Sequence, residues 1–190
     1  MDTIHLLGFA GSLRKASFNR HLLSLCKDLL PQNTKMNLFQ LNDIPLYNAD
    51  VEAQGFPKSV LMLKENINKA EGIIIACPEY NYSVPGVLKN TLDWISRPPS
   101  EIPVEKKPCA IISASSSRFG GARSQQHLRQ ILSALGAYVM PQPELYIPQA
   151  QKEFIESEPI DEKTSARIQS FLRSFIEFIQ SINKNQGSVS

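Results

Sequence analysis

Gly72-Ile73-Ile74-Ile75-Ala76-Cys77 runs without a break into Pro78-Glu79-Tyr80-Asn81-Tyr82-Ser83-Val84-Pro85. The first six residues are apolar with no alternation, the pattern of a parallel strand covered on both faces. The stretch bounded by prolines cannot extend the ladder, so the strand ends where it begins. A strand buried on both sides needs helices above and below it, and this segment therefore reads as the central strand of an α/β sheet.

Outward from it, strands and helices alternate. On the N-terminal side, residues 57–70 carry Val60, Leu61, Leu63 and Ile67 at helical spacing, and residues 36–41 read as a strand followed by the irregular loop Ile44-Pro45-Leu46-Tyr47-Asn48. Residues 4–9 are a short apolar strand that ends in Gly8-Phe9-Ala10-Gly11. Phe18, Leu22, Leu25, Cys26 and Leu29 then recur at helical intervals until Pro31 stops them. On the C-terminal side, Val87, Leu88, Leu92, Trp94 and Ile95 mark a helix that starts at Pro85 and stops before Pro98-Pro99. Residues 108–114 repeat the buried-strand character, and a helix follows from Ala122 through Leu128, Ile131, Leu132 and Leu135, with Gly136 as its C-terminal cap. Tyr138-Val139-Met140 and Leu145-Tyr146-Ile147 offer the last strand. The final helix presents Ile168, Phe171, Leu172, Phe175, Ile179 and Ile182 on one stripe, with Asp161 as N-cap. The pattern predicts one α/β domain over residues 1–182, a doubly wound five-stranded parallel sheet with helices on both faces, and a polar, frayed tail over 183–190.

Composition narrows the partners. With 42% hydrophobic and 20% charged residues and a net charge of +2, the chain shows neither the signature of disorder nor a basic nucleic-acid surface. A small molecule or another protein is the expected partner. Cys26, Cys77 and Cys109 are odd in number and set among apolar neighbours, as reduced core cysteines are. No stretch approaches the roughly 20 apolar residues of a membrane span, and the N-terminal residues lack a secretory pattern, so a cytoplasmic location is expected. His5, His21 and His127 are dispersed and match no metal-ligand spacing.

Ligands of such sheets bind beyond the carboxyl ends of the strands, where the strand order reverses. Three loops lie there. The loop after the first strand brings Ser12, Arg14, Ser17 and Asn19 to a helix start, where unpaired N–H groups, the helix dipole and a guanidinium suit a dianionic phosphate. It contains neither GxxxxGK[ST] nor GxGxxG, so it reads as a monophosphate pocket; its bland alternative is a capping Ser17 with a solvated Arg14. The loop after the third strand, from Pro78, offers main-chain groups to the edge of a flat heteroaromatic ring, or else packs on its own aromatics. The loop after the fourth, Ser115-Ser116-Ser117-Arg118-Phe119-Gly120-Gly121-Ala122-Arg123, supplies hydroxyls, arginines and glycines that let a ligand approach the backbone.

Over residues 5–144 these three segments resemble the NADPH-dependent FMN reductase family, particularly its bacterial chromate- and quinone-reducing members. The motifs that carry the resemblance are GSLRxxSxN, PEYNYSVPGxLKNxLDW and GGARxQxxLRQ. The resemblance implies a flavodoxin-like sheet of order 2-1-3-4-5. It places Ser12, Arg14, Ser17, Phe18 and Asn19 on the phosphate of FMN, and Pro78, Glu79, Tyr80 and Asn81 along the isoalloxazine. Ser115, Ser116, Ser117, Arg118, Gly120 and Gly121 close the other side. Ala16 stands where the family often has glycine, and Ser115-Ser116-Ser117 replaces a stretch that often contains one.

The implied activity is hydride transfer from NADPH or NADH to bound FMN, then electron transfer to a quinone, azo compound, free flavin or chromate-type anion. The flavin carries that chemistry, so no catalytic side chain is required; Glu79 is a minor acid/base candidate. With one open face of the ring, donor and acceptor alternate and the kinetics are ping-pong. The family further implies a homodimer or homotetramer in which the helix bearing Leu88, Leu92, Trp94 and Ile95 packs across subunits with the helix near Leu128; the alternative is that these residues fill the core of one chain. The competing class is a flavodoxin-type FMN carrier or regulatory module without NAD(P)H turnover, whose acidic docking surface this chain of pI about 8.4 lacks.

Overall fold

The structure, a computed structural model, describes residues 3–154 and 160–187. In chain order its elements are β1 (Ile4–Ala10), α1 (Phe18–Asp28), β2 (Thr34–Phe39), α2 (Ala49–Gln54), α3 (Lys58–Lys69), β3 (Gly72–Ala76) and α4 (Gly86–Ile95). After them come β4 (Pro108–Ala114), α5 (Ala122–Ala134), β5 (Tyr138–Val139), β6 (Leu145–Ile147), α6 (Ala150–Glu153) and α7 (Glu162–Gly187).

The sheet is parallel, of order β2-β1-β3-β4-β5, and the apolar run at β3 occupies its centre. Successive residues of β3 supply opposite cores. Ile73 and Ile75 face α3, α4 and α5 with Val60, Leu63, Leu88, Leu92, Trp94 and Leu128. Ile74 and Ala76 face α1 and α7 with Leu22, Cys26, Ile168, Phe171, Phe175 and Ile179. Every residue of β3 and β4 is buried, which is why neither strand alternates in sequence.

A sixth strand is present. β5 pairs with the start of β4 and β6 with its end, so the two lie in tandem along one edge of the sheet. Pro141 and Pro143 stand between them; without N–H groups they cannot continue a ladder, and the single expected strand is split.

Smaller expectations shift as well. β2 lies two residues earlier than predicted, and α2 and α6 arise where no helix was foreseen. Leu61 stands exposed on α3, and Leu23 rather than Leu25 is fully buried on α1. Asp161 does cap α7, its Oδ2 accepting from Thr164 N at 3.0 Å. The helix continues to Gly187, through residues expected to fray, while 188–190 lie outside the described residues. Leu88, Leu92, Trp94, Ile95 and Leu128 are at most 1% exposed within one chain, so they fill its core rather than forming a free outer face of their helices.

Candidate functional site

β1, β3 and β4 end side by side at Ala10, Ala76 and Ala114, and the chain passes from β1 outward to β2 before returning to β3. The crevice of such a reversal lies beyond these three ends. There a cleft of about 160 Å3 is lined from the β1 loop by Ser12, Arg14, Ser17, Phe18 and Asn19. The β3 loop adds Pro78, Glu79 and Tyr80, and the end of β4 adds Ala114, Ser115 and Ser116. Asn81, Ser117, Arg118, Gly120 and Gly121 do not line it.

The β1 loop folds as an anion cradle. Ser17 caps α1, its Oγ accepting from Arg20 N at 3.4 Å. Among the described residues no protein acceptor meets the N–H groups of Phe18 and Asn19, which begin the helix. Ser12 Oγ accepts from Arg14 N at 3.4 Å and shares a 3.3 Å hydrogen bond with the Tyr80 hydroxyl, which ties this loop to the next. Arg14 lies over the Phe18 ring, 5.7 Å from its centroid, and has no carboxylate partner among the described residues. Ala16 is exposed and outside the left-handed backbone region, so its methyl group strains nothing.

Asn19 is spent on the frame. Its Nδ2 donates to Ala114 O at 2.7 Å and its Oδ1 accepts from Ala114 N at 3.0 Å, so the buried amide pins the start of α1 to the end of β4. Its own backbone N–H, not its side-chain oxygen, is what it offers to a ligand.

Glu79 is also committed. Its Oε1 accepts from Arg123 Nη1 at 2.9 Å and its Oε2 from Arg123 N at 3.1 Å. With both oxygens engaged, the carboxylate serves as a brace between loops. In the β4 loop, Ser115 Oγ accepts from Ser117 N at 3.1 Å and Ser117 Oγ from Phe119 N at 3.3 Å. Side-chain hydrogen bonds thus shape a turn that glycine would otherwise shape. Gly120 and Gly121 stand at φ +60° and +88°, and an added Cβ would meet Tyr146 and Ser113, respectively, within 2.9 Å. The turn and its packing by themselves require glycine at both positions.

The donor set suits a phosphate: two hydroxyls, an unpaired guanidinium and free N–H groups at a helix start. A family model described as NADPH-dependent FMN reductase matches residues 4–152. The chain belongs to the NADPH-dependent FMN reductase family. An NAD(P)H-dependent FMN reductase of Pseudomonas aeruginosa is 44% identical over 174 residues, covering 91% of this chain and 94% of that protein. A quinone reductase of Escherichia coli is 43% identical over 185 residues, with coverage of 95% and 98%. Among solved structures, the flavoenzyme NAD(P)H:(acceptor) oxidoreductase of Paracoccus denitrificans superposes with a TM-score of 0.87 at 33% identity, covering 94% of this chain and 98% of that one.

Within this FMN reductase scaffold, Ala114 and His127 went unmarked as site residues, and Arg123 was marked only as an arginine of the β4 loop. Ala114 contributes backbone to the floor of the cleft. Arg123 and His127 reach the β3 loop from α5, and the signal available for them was a polar pair one helical turn apart on that helix. Just past the end of α4, away from the cleft lining, Arg97 Nε pairs with Glu52 Oε2 at 3.2 Å.

Proposed function

We propose that the chain is an FMN-dependent oxidoreductase that takes reducing equivalents from NADPH or NADH and passes them to quinones, azo compounds, free flavin or chromate-type anions. The observation that carries the reading is the donor-rich cleft at the switch point of a chain in this family. When bound, FMN supplies two-electron redox chemistry that no side chain here provides. The N–H groups of Phe18 and Asn19, the hydroxyls of Ser12 and Ser17 and the Arg14 guanidinium hold its phosphate. Asn19 keeps α1 and β4 in register beneath it. Pro78, Glu79, Tyr80 and Asn81 support one side of the ring system, and Ser115, Ser116 and Ser117 bound the other, with Arg118, Gly120 and Gly121 completing that loop.

A cleft of about 160 Å3 is smaller than the roughly 300–1,000 Å3 pockets that enclose a whole ligand of this size. It encloses the phosphate end and leaves the ring accessible from one side. Donor and acceptor then take turns at that side. Homodimers or homotetramers are the assemblies we favour, and α4 and α5 retain a groove, with Lys89, Leu92, Asp93, Gln130, Ile131 and Leu135 in its lining, for such contacts. Three free, buried cysteines suit a reducing cytoplasm, and no helix among the described residues is long and apolar enough to cross a membrane.

The test is flavin titration of apoprotein. Wild type quenches and binds FMN tightly, riboflavin binds far more weakly for want of the phosphate, and Arg14→Ala loses roughly ten- to a hundredfold in FMN affinity, the range of one charge-assisted contact. Equal affinity for FMN and riboflavin would remove the phosphate from this cleft.

A further inference from the structure

The turn after β3 is held against its own preference. Tyr80 and Ser83 exchange backbone hydrogen bonds of 3.1 and 3.0 Å, closing a two-residue hairpin. Its tip residues, Asn81 and Tyr82, lie at φ +48° and +68°. Asparagine tolerates that region; a tyrosine there is strained and persists only where its surroundings impose it.

Helix α5 imposes it from two points one turn apart. Arg123 Nη1 donates to Glu79 Oε1 at 2.9 Å, and Ser83 Oγ shares a 3.0 Å hydrogen bond with His127 Nδ1, so both ends of the turn are gripped. Between them the Arg123 guanidinium lies 4.1 Å from the centroid of the Tyr82 ring and 4.3 Å from that of Phe119. A planar guanidinium can pair edge-on with a carboxylate while stacking face-on with rings, and a lysine cannot do both. Glu79 meanwhile serves α5, whose N-cap is Gly121 with no side chain to offer; its Oε2 takes the Arg123 N–H instead.

We propose that Arg123 is a positioning residue: by clasping Glu79 and Tyr82 it holds the turn over residues 79–83 in its strained form, and so sets where that backbone meets the flavin. The proposal rests on the reading of this turn as a wall of the FMN site. A residue that merely capped α5 would affect stability and leave the turn's ligand alone.

Arg123→Met keeps the stem and the backbone N–H but removes the clasp. We expect its FMN dissociation constant to rise about tenfold, as for one partly exposed charge-assisted contact. The apoprotein should also be cut by chymotrypsin at Tyr80 or Tyr82 several times faster than wild type under native conditions. Arg123→Lys, which restores charge without the stack, should fall between, and it carries the same two readouts should Arg123→Met fail to fold. A lowered thermal midpoint with unchanged FMN affinity and unchanged cleavage would overturn the proposal and leave only a helix cap. Arg14→Ala measured alongside separates the two claims. If it weakens FMN while Arg123→Met does not, the clasp alone fails; if neither affects FMN, the reading of the cleft fails too.

Discussion

Asn19→Ala distinguishes a residue of the frame from a residue of the ligand site. The Asn19 side chain is 3% exposed and makes two hydrogen bonds with the backbone of Ala114, at 2.7 and 3.0 Å. Its removal leaves a buried N–H and a buried C=O unpaired, each costing about 1–3 kcal/mol. Water entering from the adjoining cleft relieves part of this, so we expect a loss of about 2–4 kcal/mol in the apoprotein. For a domain of this size that lowers the thermal midpoint by roughly 5–15 °C. FMN affinity falls as well, because the start of α1 is no longer tied to β4. Asn19→Asp keeps the acceptor for Ala114 N–H but turns a negative charge toward Ala114 O and the phosphate, so its binding loss should exceed its stability loss. The assay is thermal or urea unfolding of FMN-free protein beside an FMN titration. An Asn19→Ala apoprotein as stable as wild type that has nonetheless lost FMN would refute the assignment, because the amide would then be meeting the ligand.

Other consequences are as concrete. Gly121→Ala places a Cβ 2.8 Å from Ser113 Cβ at φ +88°, and strain and crowding together should destabilise the protein by about 2 kcal/mol or more in urea unfolding; a neutral substitution would show that the β4 loop yields freely. Burial pushes the Cys26, Cys77 and Cys109 thiols from 9.0 up to about 12. Because the folded values lie above the unfolded ones, the stability involved is whole below pH 9 and is lost as pH rises toward 12, by up to about 1.4 kcal/mol per pH unit for each thiol. A thermal midpoint that stays flat from pH 8 to 11 would contradict it. Steady-state kinetics with NADPH and a quinone should give parallel double-reciprocal lines and competitive inhibition by high quinone against NADPH; intersecting lines with a demonstrated ternary complex would mean separate sites.

What could be read in advance follows from how local each signal was. β3 and β4 declared themselves because burial on both faces leaves an unbroken apolar run. The β1 loop and Pro78 to Ser83 declared themselves by composition at strand ends. α2 did not: Asn48 Oδ1 accepts from Asp50 N at 2.8 Å as a proper cap, but the helix buries no residue and so shows no periodicity. Leu61 matched the helical spacing of α3 yet lies just outside its buried stripe. The functional detail was least legible where contacts are distant. Asn19 meets Ala114 across 95 residues and Glu79 meets Arg123 across 44, so nothing local in the sequence revealed that these two side chains also brace the loops.

We propose that this chain binds FMN at the ends of β1, β3 and β4 and lets a reduced nicotinamide reach it. Anaerobic titration of FMN-loaded protein with NADPH, followed by visible absorption, tests it most directly. The flavin band should bleach with about one equivalent of NADPH and return when a quinone is added. A protein that binds FMN but whose band is untouched by both NADPH and NADH would contradict the account and leave a flavodoxin-type carrier in its place.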